Sequence, residues 1–190
     1  MINKNNILGV VLCGGQSTRM GSDKGMLKKN NLTWAEIAQQ KLLALKIPVV
    51  ISINEEQVEE YEKIFSPSDL IMDDELEISG PLLGLLSVHQ KFREKDLLIL
   101  ACDMLEMKSE ILEHLIAHYS LPATVFKNEF FAEPLCGIYS SEALEKVLQA
   151  CENKELHRHS MMNVLNLIAA KNIEIDENWK QFFSNINTLK

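Results

Sequence analysis

The chain has 190 residues, of which 46% are hydrophobic and 24% are charged, as is ordinary for a globular protein of one domain. Its formal net charge of −8 disfavours binding to nucleic acid or to an anionic membrane surface, because both need a surplus of Lys and Arg. The four cysteines form no CxxC pair, so neither a zinc ribbon nor a thioredoxin-like site is indicated.

Three of the cysteines, Cys13, Cys102 and Cys136, lie in apolar runs, where an unpaired Cys behaves as a small hydrophobic side chain. Unpaired thiols are typical of a reducing compartment. The N-terminal segment MINKNN leads into a short apolar run that has no small-residue cleavage site of the kind that ends a signal peptide. We therefore expect one cytoplasmic domain spanning residues 1–190, without a membrane segment.

The periodicity of apolar residues predicts strands and helices that alternate along most of the chain. In chain order the prediction is strand 7–13, helix 33–45, strand 49–53, helix 55–65, strand 70–72, helix 82–92, strand 96–102, helix 109–119, strands 123–126 and 135–139, helices 141–150 and 161–169, and strand 172–175. Thr33 and Glu36 have the spacing of a capping box, and Pro81 suits a first helical turn. The alternation predicts a three-layer α/β/α, Rossmann-like fold with a mostly parallel central sheet.

Polar residues follow several of these strands, at the edge where parallel sheets bind ligands. They are the loop after Cys13, then Asn54, Asp73 and Asp103. A carboxylate after a buried strand, such as Asp103, can hold Mg²⁺ together with phosphate oxygens, although an Asp in that place can also cap the next helix. Asp73 could equally form a turn.

The loop after Cys13 contains Gly14, Gly15 and Gly21 together with Arg19 and Lys24. Glycines allow backbone N–H groups to approach phosphate oxygens, and the two cations would neutralise phosphate charge. The spacing fits neither the GxxxxGK[ST] loop of P-loop proteins nor the GxGxxG loop of dinucleotide-binding proteins. A polar loop with turn-forming glycines remains the alternative interpretation.

The segment at residues 12–27, LCGGQSTRMGSDKGML, resembles the LAGGxSxRMGxDKxxL signature of the molybdenum cofactor guanylyltransferases, which belong to a wider nucleotidyltransferase superfamily. Further segments agree in order: Asn54 after a strand, Asp73 before a GPLLG turn at residues 80–84, the Cys102-Asp103 pair, PLCGIYS at 134–140, and NINT at 185–188. The resemblance therefore extends over nearly the whole chain and implies the nucleotidyltransferase fold.

The resemblance also implies a reaction in which a phosphate oxygen of molybdopterin attacks the α-phosphorus of GTP, with Mg²⁺ as cofactor and pyrophosphate as leaving group. By motif position, the residues expected at the nucleotide are Leu12, Cys13, Gly14, Gly15, Lys24, Asn54, Asp73, Gly80 and Asp103. Those expected to act in catalysis are Arg19, Lys24 and Asp103, with Asp103 as the metal ligand. Those expected at the pterin and its phosphate are Arg158, Asn185 and Asn187. GTP and molybdopterin are the expected partners, with transient contacts to cofactor-biosynthesis proteins or molybdoenzymes.

Other functions remain to be weighed against this one. A related nucleotidyltransferase could use CTP with molybdopterin or act on another phosphorylated acceptor, since base choice depends on a few hydrogen bonds. A GTPase switch is disfavoured because the Walker motif and its Mg²⁺-binding Ser or Thr are missing from the sequence. A non-enzymatic interaction module would leave Arg19, Lys24 and Asp103 without a task.

Overall fold

The computed structural model describes residues 4–14 and 23–183. Its strands are β1 (Ile7–Leu12), β2 (Lys28–Lys29), β3 (Leu32–Thr33), β4 (Val49–Ile53), β5 (Leu70–Met72), β6 (Asp96–Ala101), β7 (Ala123–Lys127), β8 (Ala132–Tyr139) and β9 (Lys171–Glu174). Its α-helices are α1 (Trp34–Leu43), α2 (Val58–Tyr61), α3 (Pro81–Lys91), α4 (Ser109–Ala117), α5 (Ser141–Glu152) and α6 (Met161–Leu167). Short 3₁₀ helices include Lys24–Met26, Glu55–Gln57 and Glu177–Phe183.

Seven of these strands form one sheet in the order β5-β4-β1-β6-β8-β7-β9. The neighbours β5, β4, β1 and β6 are parallel, whereas β8 is antiparallel to both β6 and β7. Because β7 and β9 are parallel to each other, β8 alone of the seven runs in the opposite direction. The predicted mostly parallel sheet is confirmed.

Helices cover both faces of the sheet, so the predicted three-layer arrangement is also confirmed. One core packs α1 and α4 against one face, and the other packs α3, α5 and α6 against the opposite face. All six residues of β1 are buried, with Val11 in the first core and Val10 in the second. This double burial explains why β1 is a continuous apolar run without polar alternation.

Two helix starts form as the sequence predicts. At α1 the Glu36 N–H donates to Thr33 Oγ1 (3.2 Å) and the Thr33 N–H donates to Glu36 Oε2 (2.7 Å), which completes the capping box. Before α3, Gly80 has a φ of 72°, a conformation that favours glycine, and Pro81 occupies the first turn.

The predicted helix at residues 55–65 is present only in its first part, and it is divided into two short segments. The chain forms the 3₁₀ helix Glu55–Gln57 and then only the four-residue α2. Asn54 and Gln57 close a tight reciprocal cap at the start, and Pro67 keeps the preceding Ser66 extended. The other predicted elements are present with ends shifted by a few residues. In the described ranges, no helix has the length and apolar character needed to cross a bilayer.

Candidate functional site

The carboxyl ends of the central parallel strands bring the predicted polar residues to one edge of the sheet. Leu12, the last residue of β1, is in register with Ser52 on β4 and with Ala101 on β6. On the next strand pair, Ile53 is in register with Met72. The residues that follow these strands, among them Asn54, Asp73 and Asp103, therefore emerge side by side next to the end of β1.

The clearest contact at this edge joins Lys24 to Asp103. Lys24 Nζ donates to Asp103 Oδ2 at 3.1 Å, although the two residues are 79 positions apart. Their side chains are 21% and 16% exposed, so the pair is accessible without being fully solvated. The structure thus brings together the cation and the carboxylate that the sequence predicts to act on a triphosphate.

Lys24 begins a 3₁₀ helix whose cap is Asp23. The Gly25 N–H donates to Asp23 Oδ1 at 2.9 Å, which fixes the turn locally. Two residues from the neighbouring segment also donate to the Asp23 carboxylate: Gln57 Nε2 to Oδ2 at 2.8 Å and Tyr61 Oη to Oδ1 at 3.3 Å. The turn that carries Lys24 is therefore tied to the segment that follows β4.

Two buried polar oxygens lie near each other at the Asp73 carboxylate, which is beside Gly14. Asp73 Oδ1 and Ser52 Oγ are both buried, and neither has a hydrogen-bond partner in the described part of the chain. A Cβ on Gly84 would stand 2.3 Å from Ser52 Oγ and 3.3 Å from Asp73 Oδ1, so the helix can approach both only because residue 84 is glycine. Burial, and secondarily the Asp74 carboxylate, raises the pKa of Asp73 to about 6. A buried acceptor without a partner suits a ligand that supplies N–H or O–H donors.

Several predicted nucleotide contacts involve groups that already bond within the protein. The N–H groups of Cys13 and Gly14 donate to the Ser52 carbonyl at 3.0 and 3.2 Å. The carbonyls of Leu12 and Cys13 accept from Cys102 and Gln57, but a carbonyl oxygen can accept a second bond. The backbone contacts predicted for Leu12, Cys13 and Gly14 would therefore have to use carbonyl oxygens.

Asn54 lies at the end of β4, where the sequence places it, and it also caps the next turn. Its Oδ1 accepts from the Gln57 N–H at 3.2 Å, and its own N–H donates to Gln57 Oε1 at 2.9 Å. A nucleoside contact by Asn54 would therefore come most directly from its side-chain N–H₂. Gly80 marks the start of α3, in the GPLLG turn that follows Asp73 in the chain.

The loop after Asp103 is held by a lysine that the sequence analysis did not single out. Lys41 Nζ, on α1, donates to the carbonyls of Met104 (3.0 Å) and Leu105 (2.5 Å). Burial lowers the pKa of Lys41 to about 8. Because this ammonium contacts the two residues next to Asp103, it restrains the backbone on which the carboxylate stands.

Arg158 is exposed in the loop before α6, where its carbonyl accepts from Asn163 Nδ2 at 3.2 Å. Its predicted role at the phosphate or pterin stays a prediction. Gly15, Arg19, Asn185 and Asn187 lie outside the described residues, and so do Gly21 and most of the loop between Gly14 and Asp23.

A separate cavity of about 300 Å³ lies at the turn between β7 and β8. It is lined by Asn128, Glu129, Phe130, Glu133, Ile175, Lys180 and Phe183. Because β8 is antiparallel to β6, with Cys136 opposite Leu100, the first residues of β8 lie toward the carboxyl end of β6. Phe183 also stands two positions before Asn185 in the chain. The cavity therefore lies at the same edge of the sheet as Asp103, toward the carboxyl end of β6.

Asp103 has the chemistry of a magnesium ligand at a substrate site. In the described ranges, no three His, Cys, Asp or Glu side chains form a metal-binding group. Mg²⁺ at nucleotide sites usually takes one or two carboxylates and fills its other positions with phosphate oxygens and water. Asp103 Oδ2 accepts from Lys24, and the Asp103 side chain is 16% exposed. A single, partly exposed carboxylate fits this mode of binding.

One useful sequence signal was missed. The spacing Asn54-x-x-Gln57 is that of a capping box and could have predicted the turn that holds Asn54. Ser52 could not have been found in this way, since a single Ser within a five-residue apolar run carries no local pattern.

Comparison with known proteins agrees with this geometry. The family model of the MobA-like NTP transferase domain matches residues 9–167. A probable molybdenum cofactor guanylyltransferase of Flavobacterium johnsoniae is 32% identical over 182 residues, covering 94% of this chain and 90% of the relative. A molybdenum cofactor guanylyltransferase of Campylobacter jejuni is 30% identical over 184 residues, covering 94% and 89%.

The fold also recurs among solved structures. The crystal structure of molybdopterin-guanine dinucleotide biosynthesis protein A from Archaeoglobus fulgidus superposes with a TM-score of 0.75 at 22% identity, covering 96% of this chain and 92% of that one. A nucleotidyl transferase from Methanothermobacter thermautotroptrophicus gives 0.72 at 16% identity, covering 96% and 92%. The predicted nucleotidyltransferase fold is confirmed, and the chain belongs to the MobA-like NTP transferase family.

Proposed function

We propose that this protein transfers GMP from GTP to the phosphate of molybdopterin and releases pyrophosphate. The observation that carries the proposal is the 3.1 Å contact between Lys24 and Asp103 at the carboxyl ends of β1 and β6. It places one cation and one potential metal ligand where an open parallel sheet binds nucleotides. The names of the relatives at about 30% identity supply the donor and the acceptor.

The reaction needs orientation and charge neutralisation more than a covalent catalyst. An oxygen of the acceptor phosphate forms a bond to the α-phosphorus of GTP, and the bond from that phosphorus to the oxygen bridging to the β-phosphorus breaks. Pyrophosphate leaves with the bonding electron pair. Lys24 would leave Asp103 and donate to phosphate oxygens, which lowers the negative charge that opposes the attack. Arg19 would neutralise phosphate charge in the same way.

Asp103 is the residue that would hold Mg²⁺. When bound, the metal would neutralise phosphate charge and orient the departing pyrophosphate. The carboxylate would stay anchored at the end of β6, with Lys41 restraining the loop after it.

Asp73 and Asn54 would contact the nucleoside, since they follow the paired strands β5 and β4 beside the end of β1. The buried Asp73 Oδ1 without a partner needs a donor, and the N1–H and N2–H₂ groups of guanine supply two on one edge. Arg158, Asn185 and Asn187 would bind the pterin or its phosphate. The cavity at the β7–β8 turn offers acceptor-side volume near Phe183. We also propose a cytoplasmic location, in keeping with four unpaired cysteines.

Pyrophosphate release from Mg·GTP, measured with and without molybdopterin, tests the proposal. Release that requires molybdopterin would support it, and phosphate release from GTP alone would indicate a GTPase instead. Thermal-shift titration with GTP, CTP, ATP and UTP tests the base, because a ligand at about 100 times its Kd stabilises by about 2.7 kcal/mol. Stronger stabilisation by CTP would assign the protein to a cytidylyl transfer.

A further inference from the structure

The side-chain amide of Gln57 joins three segments that the proposed function assigns to the nucleotide. Its Nε2 donates to the Cys13 carbonyl (3.2 Å) and to Asp23 Oδ2 (2.8 Å), and its Oε1 accepts from the Asn54 N–H (2.9 Å). Gln57 is only 8% exposed, so solvent competes little with these bonds. One residue therefore connects the end of β1, the end of β4 and the turn that carries Lys24.

Tyr61 supports the same turn from one helical turn further along. It is fully buried, and its Oη donates to Asp23 Oδ1 at 3.3 Å. Burial raises the pKa of the Tyr61 phenol far above its usual range, so the hydroxyl remains a donor at any physiological pH. A Cβ on Gly25 would stand 1.9 Å from Tyr61 Oη, which means that the two residues fit only because position 25 is glycine.

We propose that Gln57, together with Tyr61, is a positioning residue that acts through Asp23 to hold Lys24 against the ends of β1 and β4. The inference rests on the proposed function, because positioning has a purpose only if Lys24 meets a phosphate. A misplacement of about 1 Å at such a contact can reduce turnover by about 100-fold.

The chemistry of the amide explains why glutamine suits this place. The three neighbours are a carbonyl, a carboxylate and an N–H group, so the bridging side chain must donate twice and accept once. An ionised glutamate has the same shape but offers no donor, and it would face the Asp23 carboxylate. Gln57→Glu is therefore expected to be more harmful at neutral pH than Gln57→Ala.

The first test compares Gln57→Ala and Gln57→Glu with the surface control Gln149→Ala, at a temperature where circular dichroism shows all variants folded. The Kd of Mg·GTP by calorimetry and kcat for pyrophosphate release are measured together. We expect kcat/KM to fall by about tenfold or more for Gln57→Ala, the size expected for a lost hydrogen bond to a charged group, and to stay at the wild-type value for the control. The activity of Gln57→Glu should recover as the pH falls, because the protonated carboxyl can again donate.

A double-mutant cycle provides the second test. Gly25→Ala should reduce kcat/KM by about tenfold or more, since its methyl group displaces Tyr61 or the turn. Tyr61→Phe alone loses the hydrogen bond to Asp23 and should lower kcat/KM less than Gly25→Ala does. In the double variant the clash is relieved, because Tyr61 Cζ at 3.2 Å becomes the nearest atom, so its activity should rise to that of Tyr61→Phe but not to the wild-type value. A merely structural role would lower the unfolding midpoint without changing the kcat or the Kd of the folded protein.

The outcomes separate the two proposals. Wild-type kcat and Kd in Gln57→Ala, or a Tyr61→Phe variant as active as the wild type, would overturn the positioning role while leaving the proposed function intact. A wild-type protein that releases no pyrophosphate with molybdopterin but binds Mg·GTP, with the Kd weakened in Gln57→Ala, would overturn the proposed function and support the positioning role.

Discussion

Replacing the buried Asp73 carboxylate by an amide should stabilise the nucleotide-free protein while weakening nucleotide binding. The carboxylate is buried beside Ser52 and Asp74, and its Oδ1 accepts no hydrogen bond from the described residues. Burial raises the pKa of Asp73 from 3.8 to about 6. Because the Asp73 side chain is only half-buried and solvent screens part of this shift, ionisation of Asp73 should cost the folded state about 1–2 kcal/mol at neutral pH. Asp73→Asn removes this cost and keeps the shape.

The sign of the pH dependence follows from the raised pKa. The stabilising contribution of the protonated Asp73 carboxyl is fully present below the unfolded pKa and is lost as the pH rises through about 6. The free energy of unfolding of the wild type should therefore contain a term that declines between about pH 4 and pH 7, and Asp73→Asn should lack it. Asp74→Asn removes only the neighbouring charge, so it should change the free energy of unfolding less than Asp73→Asn does.

Urea denaturation of the wild type, Asp73→Asn and Asp74→Asn at several pH values measures how the free energy of unfolding depends on pH. At pH 7.5 without nucleotide, Asp73→Asn should unfold at a higher urea concentration than the wild type, and with Mg·GTP its additional stabilisation should be smaller. If Asp73→Asn were no more stable than the wild type and kept the same pH dependence, the assignment of an uncompensated buried charge would be wrong.

The remaining predictions concern the charged contacts and one backbone position. Lys24→Ala and Asp103→Ala should each cost about 3–4 kcal/mol of transition-state stabilisation and reduce kcat by about 10²–10³. Lys29→Ala is the control: it breaks the neighbouring ion pair with Glu106 (2.6 Å) and should leave kcat unchanged. EDTA should abolish pyrophosphate release, and added Mg²⁺ should restore it in the wild type but not in Asp103→Ala. Near-normal turnover of Asp103→Ala with Mg²⁺ would refute the assignment of Asp103 as the metal ligand. Gly80→Ala should lower the free energy of unfolding by about 1–2 kcal/mol because φ is 72°, and an unchanged urea midpoint would contradict this.

The strands were the most predictable part of the fold. β1, β4 and β6 are buried on both faces, so their sequences are continuous apolar runs that end where polar residues begin. Those ends also indicated the place of the site, because parallel strands bring their carboxyl ends to one edge. The position of β8 could not be predicted, since its antiparallel pairing with β6 depends on contacts across about 40 residues of chain.

Within the site, the sequence indicated which residues we propose to act on phosphate, but not which groups hold those residues in place. Lys24 and Asp103 could be recognised from their motifs, and the structure brings them into contact. Gln57 contacts Cys13 and Asp23, which are 44 and 34 positions away in the sequence. A local sequence pattern cannot predict contacts between residues that far apart. The unpaired oxygen of Asp73 was equally invisible, because burial without a partner depends on packing from several elements.

At the contact between Lys24 and Asp103, the two side chains can change partners while the two backbones are held in place. The proposed reaction needs both side chains to change partners, Lys24 toward phosphate and Asp103 toward Mg²⁺, so their mutual contact must be easy to exchange. Both side chains still reach solvent, so phosphate and a metal ion can enter between them without unfolding the site. The backbones, in contrast, are fixed by groups that solvent reaches less: Gln57 through Asp23 on one side, and Lys41 through two carbonyls on the other. A contact that can be exchanged, on backbones that are held in place, is the combination that would preorganise a site for phosphoryl transfer.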